Sequence, residues 1–106
     1  MKQVMIRYKV KPERVEENEE LVRAVYEELR RTEPAGLRYA TFKLDDGVTF
    51  VHLAVIESEN EGSPLSRVRA FREFNEHLDD RIDEGRLRAE VDRVGSYRLL
   101  GDSSEH

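Results

Sequence analysis

The apolar residues of this chain recur with two different spacings, one typical of strands and one typical of helices, in alternating segments. Apolar and polar residues alternate from Gln3 to Val10, which is typical of a half-buried strand, and apolar residues then recur three and four apart, which is typical of a helix. Over the whole chain the pattern predicts the order strand, helix, strand, strand, helix, strand. This order predicts an α+β fold in which a four-stranded antiparallel sheet carries two helices on one face.

The predicted elements occupy nearly the whole chain. Strands are predicted at 3–10, 37–44, 48–57 and 87–100, and helices at 12–31 and 65–83. Gly85 is expected to stop the second helix, and Gly95 is expected to mark a bulge in the last strand. We therefore expect one domain over residues 1–100 and a flexible C-terminal tail over residues 101–106.

The two middle strands are predicted to form a hairpin around Asp46-Gly47, because Asp-Gly is favoured in two-residue turns. If these two residues form the loop, counting outward places four pairs on one face: Lys43 with Phe50, Thr41 with His52, Tyr39 with Ala54, and Leu37 with Ile56. A four-residue loop would give the same faces, but a three-residue loop would not. The third strand is also apolar on its other face, which indicates a central strand buried on both sides. Two helices cover only one face, so we expect a homodimer in which a second copy covers the other.

Charge and composition exclude several kinds of partner. The chain has 106 residues and a formal net charge of −5, and nucleic-acid affinity depends on Lys and Arg that neutralise phosphates. Nucleic acid is therefore not an expected partner. No apolar stretch is long enough to span a bilayer, and the first strand pattern follows Met1 directly. We expect a soluble, cytoplasmic protein with no membrane partner.

Metal ligands are sparse in the sequence. There is no cysteine, and the three histidines (His52, His77 and His106) show no ligand spacing of the H-E-x-x-H type. Thiolate metal sites and disulfides are excluded by the cysteine count. We expect no built-in metal and no cofactor.

Six polar residues are candidates for a site between the sheet and the helices. His52 is the candidate catalytic residue, because an unperturbed imidazole titrates near neutral pH and suits acid–base work. Asn18 and Asn75 interrupt the apolar stripes of the two helices, and buried amides need hydrogen-bond partners. The residues expected to bind and orient a ligand are Asn18, Asn75, Tyr8, Tyr39 and Thr41. The structural alternative for each is a core residue whose polar atoms bond to a neighbour.

The element order and three short segments carry a family resemblance. The segments are PAGLRY at 34–39, FVHL at 50–53 and AFREF at 70–74. Together they resemble the dimeric α/β-barrel superfamily, and within it the antibiotic-biosynthesis monooxygenases, over nearly the whole chain. The resemblance implies a ferredoxin-like βαββαβ fold, a dimer, and a pocket between sheet and helices that works without metal or bound flavin.

The chain departs from that family pattern at two places. The resemblance implies a polar residue on the third strand and a tryptophan four positions later, but the corresponding residues are His52 and Ile56, and the chain has no tryptophan. The haem-degrading members use a histidine four residues after a phenylalanine on the second helix. Counting from Phe71 gives Asn75, a poor haem ligand, although His77 is close in sequence.

Other classes with this element order fit less well. RNA-recognition domains need basic and aromatic residues on the sheet, and this acidic chain lacks their motif. Acylphosphatase-like chemistry needs an anion-binding loop between the first strand and the first helix, where this chain has no glycine and places Glu13.

Three hypotheses remain open at the level of sequence. The first is a cofactor-independent monooxygenase-like or isomerase-like enzyme that acts on a small apolar or aromatic molecule. The second is a non-catalytic ligand-binding or stress-related dimer, and the third is a fold whose pocket is filled by side chains. An open cavity beside His52 would separate the third from the other two, and turnover would separate the first from the second.

Overall fold

The computed structural model describes residues 2–57 and 63–99. Its strands are β1 (Lys2–Val10), β2 (Leu37–Lys43), β3 (Thr49–Ile56) and β4 (Ile82–Glu90), and its helices are α1 (Val15–Thr32), α2 (Arg69–Glu76) and α3 (Leu78–Arg81). Short 3-10 turns at Pro12–Arg14 and Pro64–Arg67 lead into α1 and α2. The predicted α+β order is confirmed. No helix within the described ranges is both long and apolar enough to cross a membrane.

The sheet has the strand order β2-β3-β1-β4, and every neighbouring pair is antiparallel. The predicted hairpin register is confirmed, with Thr41 opposite His52. The loop itself holds four residues rather than two, because the N–H of Leu44 bonds to the carbonyl of Thr49. A change of two residues in loop length preserves the faces, since side chains alternate with a period of two. Gly47 adopts a φ of 78°, where its lack of a Cβ is needed.

The second half of the chain corrects three predictions. The predicted helix 65–83 is divided at His77 and ends at Arg81. The last strand is Ile82–Glu90 rather than 87–100, so Gly85 lies inside the strand instead of stopping the helix. Gly95 lies beyond the strand, and the ladder is irregular where Arg7 to Val10 of β1 pair with Leu87 to Ile82 of β4, with the extra residues on β4.

The early start of β4 has a tertiary cause. The N–H of Lys11 bonds to the carbonyl of Arg81 at 2.8 Å, and Val10 pairs with Ile82. This pairing draws the chain into the sheet at a point where the apolar spacing still favours a helix. The predicted tail at 101–106 and most of the predicted loop at 58–64 lie outside the described residues.

Helices cover one face of the sheet, and the other face is partly exposed. The inner face packs against α1 and α2 around a buried cluster: Tyr8, Val10, Val25, Phe50, Val68, Ala70, Phe74 and Leu78. On the outer face Val51, Leu53 and Val55 of β3 are half-buried, and Leu87 of β4 is 45% exposed. The outer face therefore remains an apolar surface of the single chain.

Candidate functional site

His52 lies in the middle of β3, on the inner face, and is only 5% exposed. Its Nε2 atom is 2.8 Å from the hydroxyl of Tyr8 on β1. Its Nδ1 atom is 2.6 Å from the hydroxyl of Tyr39 and 3.1 Å from that of Thr41, both on β2. The antiparallel register places these side chains on one face as direct or diagonal neighbours across the three strands.

The hydrogen bonds continue from Tyr8 into the helical layer. The Nδ2 amide of Asn18, on α1, donates to the Tyr8 hydroxyl at 3.0 Å. The Oδ1 atom of Asn18 accepts from Nε of Arg81, on α3, at 3.0 Å. Arg81 also donates to the carbonyl of Phe74 at 2.8 Å, and its guanidinium lies 5.1 Å from the centroid of the Phe74 ring. Neither Asn18 nor Arg81 is exposed.

Arg81 is not among the site residues predicted from the sequence. The signal was its spacing, because Phe74, Leu78 and Arg81 follow one another at four and three residues and so share a helical face. An arginine in an apolar stripe at that spacing indicates a buried cation with specific partners.

The other end of the chain of hydrogen bonds reaches the edge of the core. The hydroxyl of Thr41 lies 2.8 Å from that of Tyr26, a half-buried residue on α1. The Tyr26 ring stacks on Tyr39 with centroids 5.4 Å apart. We refer to Arg81, Asn18, Tyr8, His52, Tyr39, Thr41 and Tyr26 together as the polar chain. Within the described residues, no buried side-chain polar atom lacks a hydrogen-bond partner.

Donor and acceptor requirements fix the hydrogens of the polar chain. A guanidinium only donates, so Oδ1 of Asn18 accepts and its Nδ2 donates to Tyr8. The Tyr8 hydroxyl then directs its single hydrogen at Nε2 of His52. A neutral imidazole with an acceptor Nε2 carries its proton on Nδ1, which faces the Tyr39 and Thr41 hydroxyls.

Burial sets the charge states in this site. Desolvation lowers the pKa of His52 from 6.5 to about 4, so the imidazole is neutral at neutral pH. Burial also raises the pKa of Tyr8 and of Tyr39 well above the ordinary tyrosine range, while the hydrogen bond from Asn18 opposes the rise at Tyr8. The pKa of Arg81 is lowered by burial, but a guanidinium keeps its proton. Arg81 is therefore the one formal charge in the polar chain at neutral pH.

A small cavity adjoins His52 between the sheet and α2. It has a volume of about 40 Å³ and is bounded by Tyr8, Tyr39 and His52 on the sheet side and by Phe71 and Asn75 of α2. This is room for water-sized occupants, and it is far below the roughly 300–1,000 Å³ of ordinary ligand pockets. Entry of a larger molecule therefore requires the surrounding side chains to repack.

Most of the predicted site residues meet in this region. His52, Asn18, Tyr8, Tyr39 and Thr41 belong to the polar chain. Asn75 lines the cavity, but its Nδ2 amide donates to the Phe71 carbonyl at 3.2 Å rather than to the polar chain. Their roles in binding or catalysis stay predictions.

In the described parts of the chain, no group of three or more His, Asp and Glu side chains converges as a metal site. His77 is exposed and lies near Glu76 and Asp80 at distances of 3.8 Å and 3.6 Å.

A match to a family model identifies the family of this chain. Residues 1–77 match the family model described as antibiotic biosynthesis monooxygenase. The chain therefore belongs to the antibiotic biosynthesis monooxygenase family. No curated protein sequence matches it.

Solved structures share the fold at low sequence identity. A protein from Nitrosomonas europaea, named as a candidate antibiotic biosynthesis monooxygenase, has a TM-score of 0.71 and 18% identity, over 90% of this chain and 100% of that chain. A variant of SnoaB from Streptomyces nogalater, named as a cofactor-independent oxygenase, has a TM-score of 0.66 and 13% identity, over 90% of this chain and 94% of that chain. A conserved protein from Methanosarcina mazei has a TM-score of 0.67 and 21% identity, over 85% and 89%. These similarities establish the ferredoxin-like α+β fold.

Proposed function

We propose that this protein is a cytoplasmic, cofactor-independent monooxygenase-like enzyme that acts on a small apolar or aromatic molecule with an acidic phenol or enol hydroxyl. The observation that carries the proposal is a neutral, buried His52 whose two ring nitrogens bond to hydroxyl groups beside a cavity. Family membership and the oxygenase named among the structural neighbours support it.

The first step is the removal of a proton from the substrate. The free lone pair of the His52 imidazole is on Nε2, which already accepts a hydrogen bond from Tyr8. A substrate hydroxyl at the cavity would give its proton to the oxygen of Tyr8, while the hydrogen of Tyr8 passes to Nε2. Tyr8 ends as a neutral phenol, His52 becomes an imidazolium, and the substrate becomes an anion.

The substrate anion then reacts with molecular oxygen. In a monooxygenation that turns a CH₂ carbon of the substrate into a carbonyl, all four electrons come from the substrate. One oxygen atom enters the product and the other leaves as water. The imidazolium returns the proton, so the protein is unchanged at the end. An isomerase-like reaction would share the first step, the loss of the hydroxyl proton, and return a proton to a carbon of the substrate anion, which converts an enol into a ketone.

Base strength alone does not drive the proton transfer. The pKa of His52, about 4 in the empty site, makes it a weak base toward a phenol with an ordinary pKa of about 10. The attraction between the new imidazolium and the substrate anion in a dry site must supply the difference. The buried charge of Arg81 favours the same anion through Asn18 and Tyr8.

We also propose that the working form is a homodimer joined through the outer face of the sheet. The apolar surface formed by the half-buried residues of β3 extends to Phe42 on β2 and Leu87 on β4, which are 38% and 45% exposed. A groove of about 520 Å³ separates this face from the segment that includes Val91 and Leu99. A second copy of the chain offers the same apolar face, which suits an isologous interface.

Oxygen uptake tests the enzymatic proposal. The purified protein is incubated with a panel of polycyclic phenols and enols under ¹⁸O₂, without added cofactor. We expect oxygen consumption and incorporation of one labelled atom into a product. His52→Asn is expected to lower turnover at least roughly 100-fold. His77→Asn, the same substitution at an exposed histidine, is the control and should retain wild-type turnover. Full activity in His52→Asn would contradict the proposed role.

A non-catalytic ligand-binding dimer, including a stress-related one, is the second candidate. The lack of a tryptophan, which the family pattern has four positions after the polar residue of the third strand, favours it. Saturable binding of a panel compound that perturbs the NMR signals of His52, without oxygen uptake or product, would favour this candidate over the enzyme.

A further inference from the structure

We propose that Arg81 is a positioning residue that sets the direction of the hydrogen bonds in the polar chain and so fixes the tautomer of His52. The inference concerns a residue outside the cavity that acts through Asn18 and Tyr8. Its value for catalysis rests on the proposed function, whereas the tautomer itself can be measured on the protein without substrate.

Arg81 sets the direction of the hydrogen bonds because it is the only member of the polar chain that can donate but cannot accept. Amide and hydroxyl groups both donate and accept, so the Asn18 amide could flip and the Tyr8 hydroxyl could rotate, and each would then exchange its donor and acceptor roles. The guanidinium cannot accept, and its Nε lies 3.0 Å from Oδ1 of Asn18. Its second bond, to the Phe74 carbonyl, and the Phe74 ring hold it in place.

The reversed hydrogen bond, from His52 to Tyr8, would destabilise the protein. If His52 carried its proton on Nε2, that N–H and the Nδ2 amide of Asn18 would both point at the oxygen of Tyr8. The Tyr8 hydrogen would then have no acceptor among the described residues. A buried donor without an acceptor is destabilising.

The charged and titratable groups around His52 favour the neutral form of its imidazole. The titratable or charged residues around it are Tyr8 on β1, Tyr39 on β2, Arg81 beyond Tyr8 and Asn18, and Arg86 of β4, which lines the same cavity. None carries a negative charge at neutral pH, so nothing in this set stabilises an imidazolium. A fixed tautomer therefore presents one basic atom, Nε2, always on the side of Tyr8.

Asn18→Asp should reverse the polar chain. A carboxylate at this position accepts from Nε of Arg81 and also from the Tyr8 hydroxyl. The Tyr8 oxygen must then accept from Nε2–H of His52, so the basic atom moves to Nδ1 on the side of Tyr39. The new negative charge should also raise the pKa of His52 by at least about one unit.

Long-range ¹H–¹⁵N NMR of ¹⁵N-labelled protein tests this proposal, because the shifts of the two ring nitrogens identify the tautomer. The His52 signals are assigned by their loss in His52→Asn. Wild-type protein should carry the proton on Nδ1, Asn18→Asp should carry it on Nε2, and Arg81→Met should give a mixture. Arg69→Met removes an exposed arginine that pairs with Glu73 and should keep the wild-type tautomer.

Three results would overturn the proposal: an Nε2–H tautomer in the wild-type protein, an unchanged Nδ1–H tautomer in Asn18→Asp, or an unchanged Nδ1–H tautomer in folded Arg81→Met. If Arg81→Met does not fold, Asn18→Asp decides alone, since it keeps Arg81 and gives it an ionic partner. Failure of the enzymatic proposal is separate, because it appears as absent turnover in the wild-type protein or as normal turnover in His52→Asn and leaves the tautomer results intact.

Discussion

Arg81 and Asn18 lie 63 positions apart in the chain, yet their side chains meet in the core with 3.0 Å between Nε and Oδ1, and neither is exposed to solvent. The contact joins α3 to α1 and continues through Tyr8 to His52. The catalytic candidate is therefore supported from the helical layer as well as from its own sheet.

Stability should fall with acid in a window set by His52. The unfolded imidazole binds a proton below about pH 6.5, but the buried one stays neutral down to about 4. Unfolding therefore takes up a proton between these values, and stability is lost as the pH falls through the window. The full loss is about 3 kcal/mol, of which most should appear by about pH 4.5.

Urea denaturation of wild-type protein and His52→Asn at several pH values measures this effect. The difference between the two free energies of unfolding removes the contribution of the carboxylates that both proteins share. A difference that stays constant from about pH 7 to pH 4.5 would mean that His52 keeps an ordinary pKa.

His52→Leu should destabilise the protein by roughly 1–3 kcal/mol, because it leaves the buried hydroxyls of Tyr8 and Tyr39 without their acceptor or donor. Tyr8→Phe should have a similar effect. The double variant should recover part of the loss, since removing both partners of a hydrogen bond is less harmful than removing one. Chemical denaturation of all four proteins gives the coupling, and strictly additive losses would argue against the bond.

Glu28 should anchor α2 above the cavity. Its two carboxylate oxygens accept from the backbone N–H groups of Ala70 at 2.9 Å and Arg69 at 3.0 Å, and these bonds lower the pKa of Glu28 below its ordinary value. Glu28→Ala should lower the thermal midpoint by a few degrees at neutral pH, with a smaller effect below the ordinary glutamate pKa. Glu27→Ala, at an exposed neighbour, is the control, and equal midpoints for both variants would contradict the anchoring role.

Leu53→Glu should convert the proposed dimer into a monomer. Leu53 lies on the outer face of the central strand β3, and a charge there would be buried without a partner in a sheet-to-sheet interface. Light scattering at micromolar concentration should give the mass of two chains for the wild type and of one chain for the variant. Ala24→Glu, on the exposed side of α1, should remain dimeric. A monomeric wild-type protein would contradict the dimer.

The purified protein should be colourless and free of metal. The sequence has no cysteine, and Asn75 stands at the position that corresponds to the haem-ligating histidine of the haem-degrading members of the superfamily. Absorbance spectra and elemental analysis check this expectation. Stoichiometric haem, flavin or zinc would refute it.

Local patterns sufficed for the first strand and for the hairpin of β2 and β3, and failed where α3 ends and β4 begins. The Asp46-Gly47 turn fixes the hairpin register, so the contacts of Thr41 with His52 follow from counting. Ile82 fits the helical stripe four residues after Leu78, yet pairing with Val10 places it in a strand. Burial of Arg81 likewise depends on Asn18, so spacing alone identifies neither its partner nor its direction.

The polar chain also affects how the protein unfolds. Its members come from α1, β1, β2, β3 and α3, and the bonds from Tyr8 to His52 and from Asn18 to Arg81 span 44 and 63 positions. No fragment of the fold can satisfy these buried groups by itself, so partial unfolding of one element exposes unmet donors in several others. The core should therefore open as one cooperative unit, and its amides should exchange with solvent only through nearly global unfolding.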